Sequence, residues 1–343
     1  MTKRTRLFLL VGAGILVVGL GSGLVASYVG QNLLIIGADG PDELVYIPAD
    51  SQVVGYANVR EIMDSELRRK IMRFGGPDQP GGGFLEEHTG LSVERDIDHV
   101  VISMTNGDDL HGPPSLAIVR GIFDEDRIEQ LVREKGGAVE TYRNIRVLAH
   151  PESNVSVAFV EPGLVAAGTT AAVRQAIDAK VSGNSVRGNA DLMRLLRESD
   201  DGNAWAVARF DALAGGGRLP AELADQLPAI TWLSVNGYVD GGVRGTVRAE
   251  ARDEMAADDL RQVIQGFVAL ARMQTRQRPE FADLLNSLQL GGQGNTVSLS
   301  FSVPSEVIDS IGAFSAGRRP PQSDPRAPAP GGTAAPVPAA PAL

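Results

Sequence analysis

His99-Val100-Val101-Ile102-Ser103-Met104, followed after a break by Leu116-Ala117-Ile118-Val119-Arg120-Gly121, decides the reading of the fold. Both segments are short and rich in β-branched residues. Between them lie Asn106-Gly107-Asp108-Asp109 and Pro113-Pro114, which is turn chemistry. Two such neighbours pair as a hairpin, so the sheet is antiparallel here. The signal recurs along the chain. Ile145–Leu148 precedes Val155–Val160, with Leu164–Ala167 beside them. Ile230–Tyr238 and Val243–Ala251 flank Asp240-Gly241-Gly242, and Leu288–Leu290 and Val297–Phe301 flank Gly291–Gly294.

Helical spacing fills the intervals between hairpins. After a first strand at Val53–Ala57, Asn58 with Glu61 three residues later forms a capping-box-like start, and Val59, Ile62, Met63, Leu67 and Ile71 follow at helical period. A Gly/Pro loop from Gly75 to Gly83 and a short amphipathic piece, Phe84 to Thr89, come next. Asp124 caps a helix carrying Ile128, Leu131 and Val132. Thr169 or Thr170 caps one carrying Val173, Ala176 and Ile177. Asn189 caps one carrying Leu192, Leu195 and Leu196. After Asp200-Asp201-Gly202 the order restarts with a strand at Trp205–Phe210 and a short helix at Pro220–Leu227. A helix with Leu260, Val263, Ile264, Phe267 and Leu270 follows, and Pro304 opens a closing helix with Val307, Ile308 and Ile311. Strand–helix–hairpin–helix–hairpin–helix therefore occurs twice, which predicts an internal duplication: one unit over 44–181, a connector over 182–202 and a second unit over 203–314. The expected class is α+β, with duplicated antiparallel-sheet units and helices on one face. Two lobes and one continuous sheet both satisfy this order.

The compartment is read from the N-terminus. Leu7 to Val29 holds no charged residue, and a helix of that length spans about 35 Å. A bilayer's hydrocarbon core is about 30 Å thick, so one transmembrane helix is expected over 7–29, extending to 36 if Leu33-Leu34-Ile35-Ile36 joins it. Lys3, Arg4 and Arg6 in the cytoplasmic flank, residues 1–6, set the orientation, with the N-terminus inside and the body outside. Val25-Ala26-Ser27 is an alternative cleavage site, but the run is longer than the 7–15 apolar residues usual for a secretory signal, so a retained signal-anchor is expected. Gly19, Gly23 and Ser27 repeat every four residues, the spacing of a membrane-helix dimer face, although glycine is common in membrane helices for other reasons. Residues 37–43 read as a polar linker.

Composition narrows the function. The formal net charge of the 343-residue chain is −10. Lys3, Arg4 and Arg6 supply three positive charges. Arg318, Arg319 and Arg326 against Asp324 supply two more, which leaves −15 on the rest. That sign argues against nucleic acid as a partner. With no cysteine there is neither a disulfide framework nor a thiolate metal site. Eight of the 20 prolines fall between Pro320 and Pro341, so residues 315–343 read as a disordered Pro/Ala-rich tail, a spacer or a ligand for an envelope partner.

The sequence carries few signatures of chemistry. Asp96, Asp98, His99, Asp108, Asp109 and His111 surround one hairpin, but their spacing matches no zinc or calcium signature. There is no G-x-S-x-G elbow and no phosphate loop. Asn154-Val155-Ser156 matches a glycosylation acceptor, a pattern frequent by chance. No catalytic, metal or cofactor residues are assigned, and no cofactor is expected.

Leu44-x-x-Ile47-Pro48-Ala49-Asp50, the strand Val53–Ala57, Val157-Ala158-Phe159, Gly163-Leu164-Val165 and Thr170-x-x-Val173-x-x-Ala176-Ile177 carry a resemblance over roughly 44–180. The chain resembles uncharacterised bacterial single-pass envelope proteins with repeated α+β units after an N-terminal membrane anchor. That implies an exported body and brings no activity with it. The expectation is a non-enzymatic scaffold or interaction protein of the bacterial inner membrane with an extracytoplasmic body. The membrane helix, a second copy and an envelope protein at the tail are its expected partners. A binding protein for lipid or another apolar ligand is the alternative, and a carboxylate hydrolase stands third.

Overall fold

The segments flanking each turn pair as hairpins, and the hairpins join into one antiparallel sheet. The computed structural model describes residues 40–69, 91–105, 115–134, 136–150, 154–199, 202–215, 229–274 and 282–303. The strands of the first half are β1 (Val53–Asn58), β2 (Ile97–Met104), β3 (Leu116–Gly121), β4 (Ala138–Tyr142), β5 (Ile145–His150), β6 (Val155–Glu161) and β7 (Leu164–Thr169). Those of the second are β8 (Ala204–Arg209), β9 (Ile230–Val239), β10 (Val243–Ala251), β11 (Gln289–Gly291) and β12 (Thr296–Val303). The helices used below are α1 (Val59–Met63), α2 (Val93–Asp96), α3 (Glu125–Glu134), α4 (Thr170–Ser182), α5 (Ala190–Ser199), α6 (Phe210–Gly215), α7 (Glu254–Gln274) and α8 (Ala282–Ser287).

Spatial order across the sheet is β11-β12-β10-β9-β8-β1-β2-β3-β7-β6-β5-β4. The halves are thus one sheet, not two lobes, and they meet where β1 runs antiparallel to β8. At that joint Tyr56 lies opposite Trp205, with the two rings stacked at 5.6 Å.

Directly opposed residues share a face of the sheet. Tyr56, Val101 and Trp205 mark one face, and Ala57, Val100 and Ala204 mark the other. In the first half both faces are apolar because β2 carries Val100-Val101-Ile102 without alternation. Val101 joins the main core with Val54, Ile118, Val173, Ile177, Leu192 and Leu196, under α4 and α5. Val100 turns the other way and joins Ala57, Val59, Ile62 and Met63 of α1. In the second half alternation is clean. Ser234, Arg248 and Ser298 fall on the first face, and Ala249, Ala251 and Val297 fall on the second, packed with Ala256, Ala257 and Leu260 of α7. Helices therefore cover both faces, which corrects the one-face expectation. A strand buried on both sides needs a cover on both sides.

Local chemistry explains the boundaries. Asn58 accepts from the Glu61 backbone N–H at 3.2 Å, and its Nδ2 donates to Glu61 Oε2 at 3.2 Å. Asp124, Thr169 and Asn189 accept from Arg127, Ala172 and Leu192 backbone N–H groups, so each expected cap is in place. Gly183 ends α4 in the left-handed conformation, φ 75°. Strand β4 is the one described strand that the sequence does not predict, and the short helices α2, α6 and α8 are likewise unpredicted. Strand β4 turns into β5 through Arg143 and Asn144, both at positive φ, the geometry of a two-residue primed turn without the usual glycine.

Several expectations lie outside the described residues: Lys3, Arg4 and Arg6, the span 7–29 with Gly19, Gly23 and Ser27, the piece at 84–89, the helices at 220–227 and from Pro304, and the tail. Among the described residues, no helix is long and apolar enough to cross a membrane.

Candidate functional site

The chain reaches β1 through a strap, residues 40–51, that lies on the main core instead of hanging free. Its sequence alternates anchors with polar groups. Asp42–Tyr46 forms a 3-10 turn that starts with Leu44 N–H donating to Pro41 O at 3.2 Å, and Ile47 N–H donates to Leu44 O at 3.2 Å. Leu44 and Ile47 are fully buried, packed with Val186, Val173 and Leu196. Val186 N–H donates to Ile47 O at 2.9 Å, and Pro48 bridges to Ser185. Ser51 Oγ donates to Pro48 O and shares a 2.7 Å hydrogen bond with Ser103 Oγ of β2. Residues 40–43 therefore belong to the body; the linker expected over 37–43 is not loose at its end.

Glu43 is the unusual member. It is 3% exposed, on a turn where a carboxylate would ordinarily face water. Arg120 of β3 donates to its Oε1 through Nε at 2.9 Å and Nη2 at 2.7 Å. His99 Nε2 lies 3.2 Å from the same oxygen, at ion-pair distance but without an aligned hydrogen bond. Tyr56 flanks the imidazole, ring centres 5.6 Å apart. Burial alone raises a carboxyl pKa; here the His99 and Arg120 contacts outweigh it and hold Glu43 at about 2.

A second polar group sits beside the first. Tyr46 Oη donates to Glu161 Oε1 at 2.8 Å, and Lys180 Nζ lies 3.4 Å from that oxygen and 5.2 Å from the Tyr46 ring centre. Burial and then the bond to Glu161 push the Tyr46 phenol well above its ordinary range. Arg187 Nη2 donates to Pro41 O at 3.2 Å and to Asp42 Oδ1 at 3.3 Å. Together these side chains line a cleft of about 420 Å³. Three cations, Arg120, Lys180 and Arg187, face three carboxylates, Glu43, Glu161 and Asp42. The arrangement neutralises itself and clamps the strap to β3, β6, α4 and the 186–188 turn.

No family model and no curated protein matches the chain. Among solved structures, crystal form III of TP0453 is similar with 9% identity and a TM-score of 0.49, over 80% of this chain and 99% of that one. Crystal form I gives 11% and 0.43 over 80% and 97%, and crystal form IV gives 10% and 0.47 over 79% and 96%. These are distant structural neighbours, and at such values the likeness carries nothing about function.

Of the residues weighed for a metal site, the structure disperses those it describes. Asp98 pairs with Arg60, Asp96 accepts from the Ser92 backbone N–H at 2.7 Å, and His99 faces Glu43. Among the described residues no group of three or more His, Asp or Glu is placed to hold a metal ion. Asp108, Asp109 and His111 lie outside the described residues. Glu43 and Arg120, the centre of the clamp, were not singled out from the sequence. They are 77 positions apart, and the one available signal was an acidic residue beside Leu44 at the start of a buried turn.

Proposed function

We propose that this chain is a membrane-anchored extracytoplasmic scaffold or interaction protein of the bacterial envelope, without enzymatic activity. The observation that supports this reading is the clamped strap. Ten residues, 30–39, separate the 7–29 apolar run from the strap, which enters the sheet's main core through Leu44 and Ile47, so an anchor in that run would keep the sheet close to the membrane. The two halves are read as duplicated units, since β1-β2-β3 and β8-β9-β10 run outward from their shared joint in the same order. Dimerisation through Gly19, Gly23 and Ser27 and capture of an envelope partner by the Pro-rich tail belong to the same proposal.

The absence of cysteine makes the topology test clean. Asp126, exposed on α3, is replaced by cysteine, and intact cells are treated with a membrane-impermeant maleimide. After opening of any outer membrane, the body is expected to label without lysis of the inner one. Labelling that appears only on lysis removes the exported assignment.

A further inference from the structure

We infer that Glu43 is a latch: with Arg120 and His99 it seats the 40–51 strap in its groove, and losing its charge lets the strap open while the sheet stays folded. The inference stands on the cleft geometry alone and holds wherever the chain resides, so its failure would leave the topology reading untouched.

Separability follows from where the bonds go. The ladders that join β1 to β2 and to β8 use residues from Val53 onward, none of them in the strap. The strap's own backbone bonds are local, apart from Val186 N–H to Ile47 O, the bridge at Ser185 and Arg187 Nη2 to Pro41 O, none of which reaches a strand of the sheet. What ties it to the sheet is therefore side-chain contact: Leu44 and Ile47 in the core, Tyr46 on Glu161, Glu43 on Arg120 and, at the end where the strap joins β1, Ser51 on Ser103. The apolar contacts are non-directional, whereas the carboxylate accepts two bonds from one guanidinium and so sets the register of the turn. Opening the strap would uncover the groove beside α4 without breaking a sheet bond, the kind of local event seen for low-stability elements. Removing the charge leaves the partly exposed Arg120 guanidinium facing a neutral amide, and its bonds to Glu43 lose their charge assistance.

Amide hydrogen exchange of the full chain tests this. In Glu43→Gln the Leu44, Ile47 and Val186 amides are expected to exchange at least tenfold faster, while Val101 and Val165 amides keep their wild-type protection. Arg120→Lys keeps the charge and loses the fork. It is expected to accelerate the same three amides to a lesser degree, and it supplies the reading should Glu43→Gln not fold. Unchanged exchange at those amides overturns the latch. So does a parallel rise across strap and sheet, because the strap would then open only with the whole fold.

Discussion

Acidifying the protein and its Glu43→Gln variant side by side gives the sharpest energetic measure of the clamp. The Glu43 carboxyl is held at about 2 in the fold against an ordinary value of 4.5. A depressed folded value means that the ionised group stabilises the fold fully above about pH 4.5, and that this contribution disappears as the pH falls from 4.5 towards 2. A gap of that width corresponds to about 3 kcal/mol. Urea unfolding of each protein between pH 7 and 2.5 is the assay. The stability difference between wild type and variant should be widest near pH 7 and shrink by about 3 kcal/mol as Glu43 protonates. A difference that stays constant over the range would show that Glu43 has the same affinity for protons folded and unfolded, and would refute the clamp as drawn.

Two further perturbations probe the strap and the sheet. Leu44→Ala empties a fully buried position in the main core and is expected to cost about 2–5 kcal/mol, read by thermal or urea unfolding; a loss below about 1 kcal/mol would mean that the strap contributes little to the core. Gly168→Ala places a Cβ against the Ser115 carbonyl at a residue with φ 154°, where β7 lies against β3. It is expected to destabilise by more than about 1 kcal/mol, and circular dichroism melts that superimpose on wild type would contradict the close approach.

Local signals carried most of the elements. Asn58, Asp124, Thr169 and Asn189 cap helices where their side-chain chemistry says they should, and the β9–β10 turn falls at Asp240-Gly241-Gly242. Strand β4 escaped because Arg143-Asn144 is weak turn chemistry and because Val139-Glu140-Thr141 offers one apolar residue per period. The second layer of helices is hidden from the sequence for a different reason. Hairpins imply one buried face by default, whereas Val100-Val101-Ile102 buries both.

The amino-acid sequence by itself determined the α+β class, the hairpins, the acidic and cysteine-free character and the apolar N-terminal run, since each depends on composition or on spacing within some twenty residues. Only the tertiary structure decided that the two halves share one sheet, that helices lie on both of its faces, and that Glu43 meets Arg120 and His99. Those facts depend on which distant segments pair, and a pairing between residues 77 positions apart leaves no periodicity behind for a linear reading to find.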